Sequence, residues 1–221
     1  MGSVGLKLRL DELCQEAEAA VQENRNIIIL FDRATSAERI PIPMLLTIGM
    51  IHHHLTRIRK RMRTSLVVES GEVRDVHQIA CCFGFGATAI CPYLGYATVR
   101  QLVAADVVKI KLWEISAQKA MTNYRKALEK WILKIMSRMG ISVLNSHQGA
   151  QTFEAIGVRR EVVDFSFTGV PPKISGVGFV EIAEKSIIRH KDWFETVVSD
   201  GATLVTTAIS RRVRGTFITR R

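Results

Sequence analysis

The sequence is poor in residues that staple or interrupt a chain: of 221 residues only four are cysteine (Cys14, Cys81, Cys82, Cys91) and five are proline. Four thiols in a chain this long are too few for a disulfide framework, and the adjacent Cys81 and Cys82 do not readily pair with each other. No C-x-x-C occurs, which removes a zinc ribbon and a thioredoxin-like dithiol. Reduced thiols inside a cell are therefore expected. No secretory leader is expected either, because MGSVGLKLRLDELCQEAEAA turns charged and amphipathic within its first seven residues. Acidic residues are scarce beside basic ones, 21 against 31, giving a net charge of +10 and a pI near 9.8.

Uninterrupted apolar runs of spanning length are missing too. Ile79 to Val99 (IACCFGFGATAICPYLGYATV) holds no charge and has the roughly 20 residues a bilayer crossing needs. However, Gly84, Gly86, Pro92 and Gly95 break it, and its middle has the pattern of a strand and a turn. A buried helix–turn–strand–turn of an α/β core is the better reading, and no membrane partner is expected.

What is present is ordinary globular usage, 47% hydrophobic and 24% charged. That excludes a disordered tail and a collagen-like repeat. At this length one large domain, or at most two small ones, can bury about 70% of the surface exposed in the unfolded chain. Helical spacing of Leu13, Ala17, Ala20 and Val21 predicts a helix over Asp11–Glu23. Ile27–Phe31 (IIILF) is a short β-branched run of the kind buried on both faces of a parallel sheet.

Pro43 suits the first turn of a helix running from Met44 to about Thr56. Thr64–Glu69 is a second strand, Asp75 caps a helix to about Phe83, and Ala87–Cys91 is a third strand. Tyr93–Ala104 and Ala117–Met139 read as helices, the latter closed by Gly140. Gly140–Leu144 (GISVL) reads as a fourth strand.

After Asp164 the texture changes. Phe165–Gly178 is rich in Gly, Pro and Ser and predicts a long ordered loop, and Phe179–His190 a short helix. Asp200–Arg221 alternates β-branched residues and ends in arginines, as an edge strand or a frayed tail would. The alternation of short strands and helices predicts an α/β fold: a small, mainly parallel sheet with flanking helices, like an incomplete (β/α) barrel.

Several residues invite chemistry. His52-His53-His54 suggests a metal, but successive helical residues point about 100° apart, so three in a row do not converge on one ion. Glu69, Glu72 and His77 complete a site only if the fold brings them close. Gly84-Phe85-Gly86-Ala87-Thr88-Ala89 fits G-x-G-x-x-A, yet a helix precedes it and a strand follows, the reverse of a dinucleotide fingerprint.

Arg57, Arg59, Lys60, Arg61 and Arg63 crowd seven residues, which keeps nucleic-acid binding open as an alternative. There is no aromatic interleaving, helix-turn-helix spacing or zinc motif beside them. Asp32, Glu69 and Ser70-Gly71-Glu72 lie at the carboxyl ends of the expected strands, where sites of parallel α/β folds sit. No Ser/His/Asp order, Cys/His pair or P-loop accompanies them.

Read as strings, the chain resembles the central domain of the large chain of glutamate synthase. The resemblance rests on Asp32-Arg33, Ser36-Ala37, Ile42-Pro43-Met44-Leu45-Leu46, Gly49-Met50-Ile51-His52-His53-His54-Leu55, and the run from Arg63 to His77. It continues through Gly84-Phe85-Gly86-Ala87, Pro92-Tyr93-Leu94, Asn123-Tyr124-Arg125-Lys126-Ala127, and the run from Lys134 to Ser142. The stretch from Gly149-Ala150-Gln151 to Gly157, Phe167-Thr168-Gly169 and Ile182-Ala183-Glu184 extend it, so that it covers about Leu10 to His190.

The resemblance implies residues 1–190 as a glutamate synthase central-like α/β domain and 191–221 as a basic extension without it. It implies a structural connector in glutamate biosynthesis, inactive alone; a basic nucleic-acid-binding or interaction module is the alternative. In the full family enzyme a terminal cysteine releases ammonia and an FMN and iron–sulfur barrel reduces 2-iminoglutarate. None of that is expected here, so no catalytic, cofactor-binding or metal residue carries over. Expected partners are other glutamate synthase domains or subunits, or a second copy, in the cytoplasm or a plastid. This chain departs from the family's pattern at Ile58-Arg59-Lys60-Arg61, where a glycine is usual, at Cys91 in place of asparagine, and at Ser166-Phe167-Thr168-Gly169-Val170 followed by Pro171-Pro172.

Overall fold

A computed structural model describes residues 3–104 and 115–199 of the chain. The β-branched runs form strands β1 (Ile27–Phe31), β2 (Ser65–Glu69) and β3 (Ala89–Cys91). They pair in parallel in the order β1-β2-β3, with Ile28 opposite Leu66 and Val68 opposite Ile90. Helix α2 (Met44–Arg57) links the first two strands and α3 (Val76–Gly84) the next two. These elements stand where the sequence predicts them, and the α/β fold with a small parallel sheet is as expected.

Side chains alternate across a strand. One set, Leu30, Leu66 and Val68, is buried and joins Ile48, Ile51 and Leu55 of α2 and Leu10, Cys14 and Val21 of α1 (Ser3–Gln22) in the core. The other set is not covered: Ile27, Ile29 and Phe31 are 59%, 57% and 59% exposed. The sheet therefore has one packed face and one face that is open and apolar along its edge strand β1.

Helix α4 (Tyr93–Ala104) packs along α5 (Ala117–Arg138), which rests on α3. α6 (Leu144–His147) follows, then β4 (Ala155–Val158), α7 (Arg160–Ser166) and β5 (Pro172–Val177). β4 and β5 form a second, two-stranded parallel sheet, and α8 (Phe179–Ser199) returns to pack on α1. No helix among the described residues is long and apolar enough to cross a membrane. Ile79–Val99 is divided among α3, β3 and α4, as expected.

Three expectations are corrected. Gly140–Leu144 is not a strand: Gly140 sits at φ +70, Ile141 N–H reaches the Met136 carbonyl at 2.9 Å, and Val143 caps α6. Its apolar residues Ile141 and Leu144 pack onto the core from a connection instead. Phe165–Gly178 is not one long loop, because Pro172–Val177 is strand β5, with Pro172 at its first position, where a missing N–H is tolerated. Its side chains are almost all exposed, which leaves no buried alternation to read in the sequence. The first and last helices also run further than expected, α1 beginning at Ser3 and α8 reaching Ser199. The expectation for Asp200–Arg221 lies outside the described residues.

The ends of α1, α2, α3 and α5 share one device. A left-handed residue follows each helix, and the next N–H bonds back five residues. In three of them the left-handed residue is Asn24, Gly86 or Gly140, types that adopt this conformation readily. At the end of α2 it is Arg59, φ +58, with Lys60 N–H on the Leu55 carbonyl at 2.8 Å. Arg59 lies in the stretch where the resembled family usually has a glycine. Arg59→Gly is expected to stabilise the chain by about 1 kcal/mol, read as a higher urea midpoint at unchanged slope. A lower midpoint would show that the arginine side chain matters more than its backbone strain.

Candidate functional site

The carboxylates and the Ser-Gly-Glu turn at the carboxyl ends of β1 and β2 do come together. Asp32, one residue past β1, accepts the Ser70 hydroxyl at 2.7 Å and the Gly71 N–H at 3.0 Å. Ser70, fully buried, accepts the Glu72 N–H at 3.1 Å and gives its own N–H to the Cys91 carbonyl at 3.1 Å. Asp32 and Ser70 thus tie all three strand ends together.

Glu72 turns the other way. Its carboxylate accepts the Met44 N–H at 2.8 Å, at the first turn of α2. Pro43 offers no side-chain cap there, so Glu72 supplies from a distant loop the acceptor and the negative charge that a helix start favours. Arg33 donates to Glu69 at 2.7 Å and lies over the Tyr93 ring, 4.2 Å from its centre. Burial, and then the neighbouring Asp32, push the Tyr93 phenol well above its usual range.

These groups close on one another as a polar knot at the strand ends. The Ser70 hydroxyl faces a carboxylate, not an imidazole, so the nucleophile–base geometry of acyl transfer is not assembled there. Removing the carboxylate leaves the buried Ser70 hydroxyl and the Gly71 N–H without their acceptor. Asp32→Ala is expected to destabilise the chain by about 2–3 kcal/mol in chemical denaturation, and Asp32→Asn by less. A change below about 0.5 kcal/mol would show that the knot does not hold the strand ends.

The three histidines are split among three tasks. His54 pairs with Glu18 of α1 at 3.2 Å, and Lys60 reaches the same carboxylate at 3.1 Å. Those two partners lower the Glu18 pKa, Lys60 first. The His52 ring accepts from the Arg61 guanidinium at 3.0 Å, and Arg61 also donates to the Thr64 and Gly86 carbonyls, each at 2.7 Å. His53 meets His52 edge to face, 5.1 Å between ring centres.

Burial, helped by Arg61 and His53, holds His52 down at about 4, and burial lowers His53 as well. A proton therefore binds the unfolded His52 more readily than the folded one. The stability that this neutral ring confers is complete above the ordinary value near 6.5 and is lost as pH falls from there toward 4. Melting at stepped pH should show a loss of about 2 kcal/mol over that window, flattened in His52→Asn, whose amide oxygen still accepts from Arg61. An equally steep fall in the variant would assign the effect to other groups.

Among the described residues, no three His, Cys, Asp or Glu side chains gather as a metal site. Neither His52-His53-His54 nor Glu69, Glu72 and His77 form one. The thiols are no better suited. Burial raises Cys14 and Cys81 to about 11 and Cys82 to about 12, and also raises Cys91. A thiol whose pKa is raised in this way is a weak nucleophile near neutral pH.

The Gly84–Ala89 motif lies as expected, with α3 before it and β3 after it. A side chain at Gly86 would enter the His52 ring, so the turn is packed shut and offers no phosphate cradle. Within the basic run, Arg57 donates to the Thr168 hydroxyl, and Lys60 and Arg61 are held as described. That run is largely intrachain structure, and nothing supports the nucleic-acid alternative.

Sequence reasoning did not single out His147, which is 1% exposed on α6 and touches the Ala80 carbonyl through Nε2 at 3.2 Å. It also missed the Tyr124 phenol, which donates to the Arg74 carbonyl at 2.7 Å and so clips α5 to the β2–α3 loop. Neither has a local sequence signal, since each partner lies fifty or more residues away.

Comparison with known proteins agrees with the string resemblance. Residues 2–159 match the family model described as the glutamate synthase central domain. The chain is 37% identical over 203 residues to the "Ferredoxin-dependent glutamate synthase" of Pyropia yezoensis, covering 89% of this chain and 13% of that protein. It is 38% identical over 195 residues to the "Glutamate synthase [NADH]" of Schizosaccharomyces pombe, covering 88% and 9%. It is also 38% identical over 193 residues to the "Glutamate synthase [NADPH] large chain" of Bacillus subtilis, covering 87% and 12%. The chain thus spans about a tenth of the length of the curated relatives it matches.

Proposed function

The chain belongs to the glutamate synthase central domain family, and on that premise we propose that it is a structural connector in glutamate biosynthesis. It holds other regions of such an enzyme in place and catalyses no step itself. The observation that carries this reading is the open face of the β1-β2-β3 sheet, with Ile27, Ile29 and Phe31 each more than half exposed. Parallel sheets are built to be covered on both faces, and three large apolar side chains in a row on a free edge strand are a site for another element. Beside that edge runs a groove of about 1140 Å³ between β1, α1 and α8, lined by Leu6, Leu13, Ile40 and Ile187 among others.

The polar residues support the same reading. Asp32, Ser70 and Glu72 fix strand ends and the start of α2, and burial raises the pKa of all four thiols. FMN and an iron–sulfur cluster then belong to other regions of the enzyme, and this chain supplies no ligand to either. The cytoplasm or a plastid is the expected location.

The test has two arms. Purified chain is incubated with glutamine, 2-oxoglutarate and a reduced electron donor; no glutamate above background and no bound flavin colour are expected. The same chain is mixed with a version of the Bacillus subtilis large chain from which the matching segment has been removed, and the mixture is followed by light scattering after gel filtration. A stable complex, weakened by Ile29→Glu and Phe31→Glu, is expected. Glutamate formation by the chain alone, or a well-behaved monomer that engages nothing, would defeat the connector reading.

A further inference from the structure

A second exposed surface has the opposite chemistry. Helix α5 lies on the core through Ile132 and Met136, which are buried, with Leu128 and Ile135 packed beside them. At about 100° per residue, the ridge diametrically opposite runs through Lys119, Asn123, Lys126, Lys130, Lys134 and Ser137. All of these are exposed. None of the four lysines forms an ion pair among the described residues, and the acidic residue of the helix, Glu129, pairs off the ridge with Arg125 at 3.4 Å.

Lys126, Lys130 and Lys134 are spaced four apart, where like charges repel and weaken a helix. Helices that only need solubility alternate glutamate with lysine on such a face. This one carries a single sign. The ridge is also flanked by large apolar side chains. Trp131 is 49% exposed and Leu133 65% exposed, and the Lys134 ammonium sits 4.5 Å from the centre of the Trp131 ring. An exposed tryptophan beside fixed cations is the composition of an interface anchor rather than of bare solvent-facing helix.

We propose that this ridge of α5 is a docking surface for an acidic face of a partner protein. The face it fits carries carboxylates about 6 Å apart, the axial step between residues four apart on a helix, with an apolar side chain that closes over Trp131 at its edge. Charge complementarity sets the approach and register, and the tryptophan supplies the contact that survives screening. This goes beyond the connector reading and is independent of it, since α5 shares no residue with the open sheet face.

The probe is a synthetic helical peptide with glutamates four apart and leucines beside them, labelled for fluorescence anisotropy and titrated with the 221-residue chain. A single-stranded oligonucleotide of equal charge runs in parallel. The peptide is expected to bind at low salt and to weaken as salt rises. The charge-reversed variant K126E/K130E/K134E should lose about tenfold or more in affinity, with its circular dichroism and melting temperature retained. Trp131→Ala should lose several-fold, with a salt dependence like that of the parent chain.

A chain that ignores the peptide at low salt overturns the proposal, as does a triple variant that binds equally well. Tighter binding of the oligonucleotide through the same three lysines overturns it in favour of a nucleic-acid surface. Should the triple variant fold poorly, Lys126→Ala with Lys130→Ala is the substitute, and an unchanged affinity there has the same meaning.

Discussion

The structure depends on the burial of one helix. Eight residues of α2, from Met44 to Leu55, are buried, among them Leu46, Ile48, Ile51 and Leu55. Each such aliphatic side chain removed from water contributes about 1.5–3 kcal/mol, so this helix accounts for much of the core. The surroundings are arranged to let it sit there. Gly49 has no side chain because a Cβ at that point would enter the Ser166 carbonyl at the end of α7. Glu72 satisfies its first turn from another loop, and Arg57 ties its last turn to the Thr168 hydroxyl.

This dependence explains why so many polar and charged side chains are taken up by partners within the chain. His52, His54 and Arg57 lie on the last turns of α2, and Lys60 and Arg61 just beyond it. Their partners are one another, the Glu18 carboxylate of α1, the Thr168 hydroxyl beyond α7, and the carbonyls of Thr64 and Gly86. The same holds at the other end of the sheet, where Asp32 accepts from Ser70 and Gly71. Polar groups that are buried need partners, and a fold with several close helix ends supplies many groups in that position.

The parts of the fold that the sequence makes legible are those where local pattern and tertiary placement agree. Ile27–Phe31 and Ser65–Glu69 are β-branched runs that do lie in a parallel sheet, and Asp75 does cap α3, its carboxylate on the Gln78 N–H at 2.9 Å. Legibility fails where apolar residues serve a connection. Ile141 and Leu144 are hydrophobic because they plug the core, and nothing local distinguishes that from a strand. It fails again at Pro172–Val177, whose exposed side chains leave only composition to read. For the candidate site, the placement of Asp32, Ser70 and Glu72 at strand ends was legible but their partners were not, since the meeting of Asp32 with Ser70 and of Glu72 with Met44 spans 38 and 28 residues.

What remains outside the core is of two kinds, and the difference between them is physical. The Ile27, Ile29 and Phe31 face is apolar backbone-paired sheet, where contact releases water over a broad area and is insensitive to salt. The α5 ridge is lysine around a tryptophan, where attraction acts at a distance, is screened within about 8–10 Å, and selects a partner by sign. A surface of the first kind suits a neighbour that stays; one of the second kind suits a neighbour that arrives and leaves. A chain with net charge +10 whose central basic run is taken up in holding its own helices together leaves α5 as its clearest single-sign helix face among the described residues. On the two proposals, a lasting contact falls on the sheet and a reversible one on an outer helix, so that engaging the second need not disturb the first.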